Sequence, residues 1–267
     1  EPTILDHGEN RFPLDLGVRI PRIRNLFHSA TKNQWDPRSD IDWHLLDLSK
    51  YTDEQLMGAR EYWSRRAWGE YGAISESPAL LIRFCQDRLE PDLQLFFTIR
   101  SQEEARHAEV CYLLAEKLGG YIEQPIVVDY EASVATHGIR KMALDPGFSL
   151  PAIMRDEVRH CAFGWYFMEH KIKALDPGEI KEVENALITM IEKVEMNGYH
   201  SAWLAPDNPA STAEVNADRL TWEAGLGATV EELEKPVFVA SIQRIRRQVK
   251  PWGVDLPIFE HPKIGKF

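Results

Sequence analysis

Cysteine is scarce in this chain of 267 residues, and its placement excludes several kinds of site. The three cysteines, Cys85, Cys111 and Cys161, form no CxxC pair. An odd number of separated cysteines argues against a disulfide framework and favours the reducing cytoplasm. Without CxxC pairs or a larger cysteine set, the sequence predicts neither a rubredoxin-type iron site nor an iron–sulfur cluster. A dinucleotide-binding glycine fingerprint is also missing.

Net positive charge and long apolar runs are absent as well. The formal net charge of −11 argues against a surface for nucleic acid or for an anionic membrane. No apolar run approaches the roughly 20 residues of a membrane span, and no charged-then-apolar leader pattern opens the sequence. Hydrophobic residues at 44% and charged residues at 27% are typical of a globular protein with a sizeable core. We therefore expect a cytoplasmic protein without nucleic-acid or membrane partners.

Strand-like alternation is the last notable absence, and the sequence predicts an all-α fold. Thr52 and Gln55 form a capping-box pattern at the start of the first long helix, and Pro78 predicts a kink within it. Pro91 stands at the first turn of the next helix, which Gly119 and Gly120 end. The predicted helices span residues 52–87, 91–118, 125–144, 149–174, 179–197, 211–224 and 229–249.

These helices predict a single domain with four parts. Residues 52–175 contain the first four long helices and form the core. Residues 1–51 are rich in proline, aspartate and aromatic residues without a clean period, and we expect an irregular N-terminal arm. Residues 176–250 add further helices, and residues 251–267 form an extended C-terminal strap.

One short motif of acid, acid, any residue, Arg, His occurs twice in the core. Its copies are residues 103–107, EEARH, and residues 156–160, DEVRH. In a helix the second acid and the histidine of each copy project from one face, a turn apart, and can bind the same metal ion or adjacent ions. Two such helices that face each other make a two-metal site, completed by one Glu from each of two other helices.

The motif residues interrupt apolar helix faces. Glu104 and His107 share a face with apolar residues of their helix, and Glu157 and His160 do the same in theirs. A buried carboxylate is costly unless a cation, a metal or a dense hydrogen-bond network compensates it. One copy could be a coincidence on a solvated face, but two copies on two core faces favour a metal site. A metal-free scaffold with buried ion pairs is the alternative.

The two further acidic ligands should also lie on apolar helix faces. Glu70 is the acid on the apolar stripe of the first helix, and a hairpin that turns near Asp87 brings it level with Glu104. Glu76 is an alternative, with a turn near Glu90. In the third predicted helix, Glu131 shares the core face, whereas the alternative Asp129 points elsewhere.

The remaining motif residues fit an outer layer around the ligands. Metal-bound imidazoles usually donate their other N–H to a carboxylate. We therefore predict a crossed pairing, in which Asp156 orients His107 and Glu103 orients His160. Arg106 and Arg159 would neutralise these outer acids, with simple surface salt bridges as the alternative. We interpret Cys111 and Cys161 as core packing.

The paired motifs, together with Gly-Glu-Tyr-Gly-Ala-Ile at residues 69–74, resemble the ferritin-like diiron carboxylate superfamily. The chain is most similar to catalytic subunits of bacterial multicomponent monooxygenases, and more loosely to arylamine N-oxygenases, desaturases and rubrerythrins. The resemblance covers about residues 52–175 and implies a ferritin-like four-helix bundle. It implies six metal ligands: Glu70, Glu104, His107, Glu131, Glu157 and His160. Glu104 and Glu157 would be the catalytic carboxylates.

The resemblance also implies an activity. It predicts an O₂-dependent diiron oxidoreductase of the monooxygenase type that hydroxylates, N-oxygenates or desaturates a small organic substrate. Four carboxylates and two imidazoles suit two iron ions, or manganese, better than zinc. Electrons would come from a separate reductase or ferredoxin, and a homodimer is the default assembly. The alternatives are a dimanganese catalase or peroxide-scavenging protein and an iron-storage relative.

Overall fold

The computed structural model describes residues 17–124 and 151–267, and this part of the chain is mostly helical. The helices are α1 Pro21–Lys32, α2 Asp53–Gln86, α3 Pro91–Lys117, α4 Pro151–Lys171, α5 Pro177–Lys193, α6 Pro209–Glu223 and α7 Glu231–Val249. Short 3₁₀ helices span Trp43–Leu45, Leu48–Lys50, Ile172–Ala174, Glu195–Asn197, Ala202–Leu204 and Lys250–Trp252. In the described ranges, no helix is both long enough and apolar enough to span a membrane.

The start of α2 has the predicted capping box. The Gln55 backbone N–H donates to Thr52 Oγ1 at 3.2 Å, and the Thr52 N–H donates to Gln55 Oε1 at 3.0 Å. These bonds satisfy two backbone donors that a helix start otherwise leaves unpaired. The helix continues through Pro78 to Gln86.

A tight turn joins α2 to α3 and makes the two helices an antiparallel pair. Arg88 adopts a positive φ of 54° in this turn, and Pro91 opens α3. At the other end, Gly119 and Gly120 have φ values of 122° and 113°, and the Gly120 N–H donates to the Ala115 carbonyl at 3.1 Å. Glycine tolerates this conformation, so α3 ends where the sequence predicts.

The prediction of an irregular N-terminal arm is wrong for Pro21–Lys32, which forms α1. This helix packs on α3 and α4, with Ile23 and Ala30 completely buried. Buried Asp92 of α3 anchors it by accepting the Ile20 N–H at 2.6 Å. The helical spacing of its apolar residues was present in the sequence, but the neighbouring proline and aspartate residues obscured it.

The additional C-terminal helices and the strap share a core of their own. Phe238 and Ile242 of α7 pack in one cluster with Phe259 and Phe267 of the tail. The tail ends in an antiparallel pair of two-residue strands, β1 Glu260–His261 and β2 Gly265–Lys266. Helices α2, α3 and α4 correspond to three of the helices that the sequence predicts for the core. The fourth, over residues 125–144, lies outside the described residues.

Candidate metal centre

Four buried side chains from three helices converge at one point in the core. They are Glu70 of α2, Glu104 and His107 of α3, and Glu157 of α4. Each offers one ligand atom, and these atoms all lie within 4.8 Å of one another. The exposed fractions of the four residues range from 0% to 7%, so the carboxylates are withdrawn from water. This group could hold a metal ion.

The two motif glutamates lie between the two motif histidines. His107 Nδ1 is 3.4 Å from Glu104 Oε2 and 3.2 Å from Glu157 Oε1. His160 Nδ1 is 3.2 Å from Glu104 Oε1 and 3.4 Å from the same Glu157 oxygen. Each carboxylate therefore faces both imidazoles. The i, i+3 spacing produces the contacts within each motif, and the packing of α3 against α4 produces the contacts between the motifs.

The two candidate acids of α2 occupy different places. Glu70 Oε2 lies 3.6 Å from His107 Nδ1 and joins the ligand group. Glu76 is also buried, but its Oε2 lies 3.7 Å from Arg100 Nη2. Glu70 is thus the acid that faces a motif histidine, while Glu76 faces a guanidinium. The other pair of candidates, Glu131 and Asp129, lies outside the described residues.

The outer acids cross over between the motifs, as the sequence analysis predicts. His107 Nε2 is 3.1 Å from Asp156 Oδ2, and His160 Nε2 is 2.8 Å from Glu103 Oε2. Because a carboxylate can only accept hydrogen bonds, each Nε2 must carry a proton and donate it to the hydrogen bond. Each Nδ1 then directs its lone pair at the inner carboxylate oxygens, unless a proton or a metal ion is bound there. A metal-binding imidazole has this orientation.

Two buried arginines hold the outer acids. Arg159 donates to both Glu103 and Asp156. Arg106 Nη2 lies 3.4 Å from Asp156 Oδ2, and its other terminal nitrogen donates to Gln34. Both arginines are less than 9% exposed, so the alternative of surface salt bridges is wrong. Buried pairs of this kind fix the positions of the acids that orient the imidazoles.

Sequence reasoning missed three residues at this site. Trp35 from the arm donates its indole N–H to Asp156 Oδ2 at 2.9 Å, and its ring stacks on His107 at 6.3 Å between centroids. No periodicity marks Trp35, so no local pattern in the sequence indicates its role. Arg66 and Arg100 stand four residues before Glu70 and Glu104, and each contacts that glutamate, at 2.9 and 3.1 Å. This i, i+4 spacing was available as a signal.

The charge balance of the site favours a cation. Among the described residues, six buried carboxylates belong to it and four guanidinium groups contact them, so the acids outnumber these cations by two before any proton on a histidine is counted. The carboxylates are Glu70, Glu76, Glu103, Glu104, Asp156 and Glu157; the guanidinium groups are those of Arg66, Arg100, Arg106 and Arg159. Buried charge of one sign requires protons or a metal. The donor set therefore fits divalent ions with a preference for oxygen and imidazole ligands.

Two pKa shifts reflect the same balance of buried charges. Burial acts to lower the pKa of His107, but Asp156, Glu104, Glu157 and Glu70 together raise it well above the ordinary 6.5. Burial acts to raise the pKa of Asp156, but His107, Trp35 and Arg159 lower it to about 2. In the metal-free protein, these acids therefore favour the protonated form of the His107 ring. A metal ion at Nδ1 would replace that proton.

Cys111 lies one turn after His107 and packs as predicted. It is completely buried, and burial together with the charge of Glu70 raises the pKa of its thiol to about 12. The thiol thus stays protonated at neutral pH and is a poor metal ligand.

An apolar cavity of about 230 Å³ lies further along the same helix faces. Trp63 and Leu114 line it, together with residues between 41 and 46 of the arm and residues 225–226. Trp63 precedes Glu70 by seven residues and Leu114 follows His107 by seven, so both lie two turns, about 10 Å, from the site. Two small buried residues, Ala67 of α2 and Cys111 of α3, stand between the cavity-lining residues and the site along their helices. A second cavity, of about 450 Å³, shares no residue with the site.

Comparison with protein-family models, with curated proteins and with solved structures finds no match to this chain. Any function therefore has to be argued from the residues and their geometry. What these establish is a mostly helical protein with a buried Glu/His group that could hold a metal ion.

Proposed function

We propose that this protein is a diiron oxidoreductase that activates O₂ to oxidise a small organic substrate. The observation that carries the proposal is the position of Glu104 and Glu157, each of which faces Nδ1 of both His107 and His160. This arrangement supports two adjacent metal positions in a ferritin-like four-helix bundle. Glu70 would be a further carboxylate ligand, beside His107. The Glu131 carboxylate remains a proposal from the resemblance.

The chain's own residues prepare the site for metal. Asp156 and Glu103 hold the Nε2 protons of His107 and His160, so each ring can present its Nδ1 lone pair. Arg106 and Arg159 hold the two outer acids in place. When bound, two ferrous ions would supply the electrons for O₂ reduction. Burial of all these groups keeps bulk water away from the reacting centre.

The apolar cavity supports the proposal that the substrate is a small organic molecule. Its walls are mainly aliphatic and aromatic side chains, and an apolar cavity of roughly 150 Å³ is large enough for benzene. A cavity of about 230 Å³ would accept a slightly larger apolar group. A peroxide-scavenging protein has no use for such a cavity, and this observation favours the oxygenase over that alternative.

The proposal includes partners outside this chain. Electrons for turnover would come from a separate reductase or ferredoxin, because the cysteines form no iron–sulfur set. We also propose a cytoplasmic location and a homodimer, the commonest assembly for such bundles.

The direct test is metal loading followed by reaction with O₂. Protein loaded anaerobically with Fe(II) should consume O₂ rapidly and develop a transient visible absorption band, and Glu157→Gln should abolish the band. Rapid peroxide dismutation by the manganese-loaded protein, without O₂ consumption by the iron form, would instead assign the catalase alternative. A protein that reacts with neither O₂ nor peroxide in either metal form would overturn the proposed activity.

A further inference from the structure

Arg100 places a buried positive charge at one edge of the candidate centre. It lies one turn before Glu104 in α3, and its side chain is 7% exposed. Its Nη2 atom is 3.1 Å from Glu104 Oε1, the same oxygen that lies 3.2 Å from His160 Nδ1. Arginine does not lose its proton in proteins, so this charge is permanent. It therefore stands beside the cation position next to His160.

Two residues of α2 hold the other side of this guanidinium. Its Nη1 donates to Ser77 Oγ at 3.0 Å, and its Nη2 lies 3.7 Å from Glu76 Oε2. Glu76 is 1% exposed and Ser77 is completely buried. Arg100 is thus fixed between two carboxylates, one of which belongs to the ligand group. Glu76 offsets part of the charge that Arg100 brings to Glu104.

We propose that Arg100 is a positioning residue that sets how strongly the position beside His160 binds a divalent cation, and that Glu76 moderates its effect. The inference rests on the proposed dimetal site. Arg100 holds one oxygen of Glu104 and repels a divalent ion at that oxygen, and repulsion between charges this close is strong in a buried site. Glu76, which attracts the guanidinium from the other side, weakens both effects.

The two cation positions are therefore unequal. Arg66 contacts Glu70 beside His107 in the same i, i+4 relation, but its side chain is 32% exposed, against 7% for Arg100. Water and salt screen the charge of Arg66 far more than that of Arg100. The position beside His107 consequently fills first, and the position beside His160 is the weaker one.

A titration of metal-free protein with Mn²⁺ tests this inference without any turnover. We expect Arg100→Gln to tighten the weaker Mn²⁺ site by at least about tenfold. Glu76→Gln should weaken the same site, and the double variant should return close to wild type. Arg100→Lys keeps the charge and should also stay close to wild type. Arg66→Gln is the matched control and should change the weaker site less than threefold.

The double variant, Arg100→Gln with Glu76→Gln, is a control for misfolding. Arg100→Gln alone removes the guanidinium beside buried Glu76, and loss of one partner of a buried ion pair destabilises a fold. The double variant removes both charges, so it should keep the wild-type secondary structure by circular dichroism. A purely structural role for Arg100 would lower thermal stability in every variant without moving the Mn²⁺ sites in opposite directions.

The failures of this inference and of the proposed function are distinguishable. If the wild type binds two Mn²⁺ ions and neither Arg100→Gln nor Glu76→Gln changes the weaker site, the role of Arg100 is overturned and the dimetal site stands. If the wild type binds one ion and Arg100→Gln gains a second, the inference is supported. Absence of binding in the wild type and in all variants would overturn both.

Discussion

His107 of the first motif donates through Nε2 to Asp156 of the second motif, over a distance of 3.1 Å. Each copy of the motif thus supplies the acid that orients the histidine of the other copy, since Glu103 contacts His160 in the same way. Helices α3 and α4 therefore contribute jointly to both halves of the site. A change in either motif should therefore affect both of the proposed metal positions.

Asp156→Asn tests this crossed support. An amide can still accept from His107, but it loses the negative charge that raises the basicity of the ring. We expect metal affinity to fall by about 10–100-fold, as for other partners of metal-bound histidines. Isothermal titration with Mn²⁺ measures the change. Glu169→Gln, an exposed position in the same helix, is the control; equal affinities of the two variants would contradict a role for Asp156.

The raised pKa of His107 predicts how the stability of the metal-free protein depends on pH. A group whose pKa is raised by folding stabilises the fold fully below its unfolded pKa, near 6.5, and this contribution is lost as the pH rises through the folded value. Urea unfolding in chelator should therefore show a free energy of unfolding that falls above pH 6.5. His107→Gln should remove this dependence. A free energy that rises over the same range in the wild type would contradict the shift.

Metal should reverse that trend, because a bound ion replaces the His107 proton. In the presence of Mn²⁺, the free energy of unfolding should rise with pH as protons compete less for Nδ1. Asp156 adds a limit at acidic pH. Its pKa is lowered to about 2, so the stability that its ionised carboxylate contributes is present above pH 3.8 and is lost as the pH falls toward 2. Identical pH profiles with and without Mn²⁺ would contradict metal binding at His107.

Trp35→Phe tests the contribution of the N-terminal arm. The substitution keeps an aromatic ring against His107 but removes the indole donor to Asp156. Loss of a hydrogen bond to a buried charged group should lower the free energy of unfolding by about 1.5–3 kcal/mol. Trp68→Phe, which removes a half-buried donor to the Ile122 carbonyl, is the control and should cost less. A smaller loss for Trp35→Phe than for this control would contradict the contact.

The apolar cavity can be tested by filling it. Ile41→Trp should occupy space between the arm and Trp63, and so abolish binding of a probe such as toluene, measured by a shift in melting temperature. Metal content should not change, because Ile41 lies away from the ligand group. Ile258→Trp, at a 65% exposed position in the tail, is the control. Equal toluene binding by Ile41→Trp and wild type would remove the cavity as a substrate site.

The sequence predicted the parts of this protein that depend on local periodicity. The ends of α2 and α3 follow from the capping box at Thr52, from Pro91 and from Gly119, all of which act through neighbouring backbone atoms. The crossed pairing of the outer acids was predictable because the two motifs are equivalent and metal-bound imidazoles require an acceptor.

Other features depend on contacts between distant segments. Trp35 reaches Asp156 across 121 positions of sequence, and no local pattern encodes that contact. The position of α1 in the fold also depends on a distant residue, since Asp92 anchors it from another helix. Arg100 differs, because its spacing from Glu104 was visible; its significance depends on Glu76, which only the packing of α2 on α3 brings near.

We propose that the glutamates and histidines of the two motifs hold two metal ions. The most direct measurement is anaerobic titration of metal-free protein with Fe(II), with bound iron determined after gel filtration, for the wild type and for Glu104→Ala. We expect about two irons per wild-type chain and less than one in the variant, because Glu104 faces both histidines. Less than about half an iron per wild-type chain, with Glu104→Ala unchanged in iron content and in stability, would contradict it.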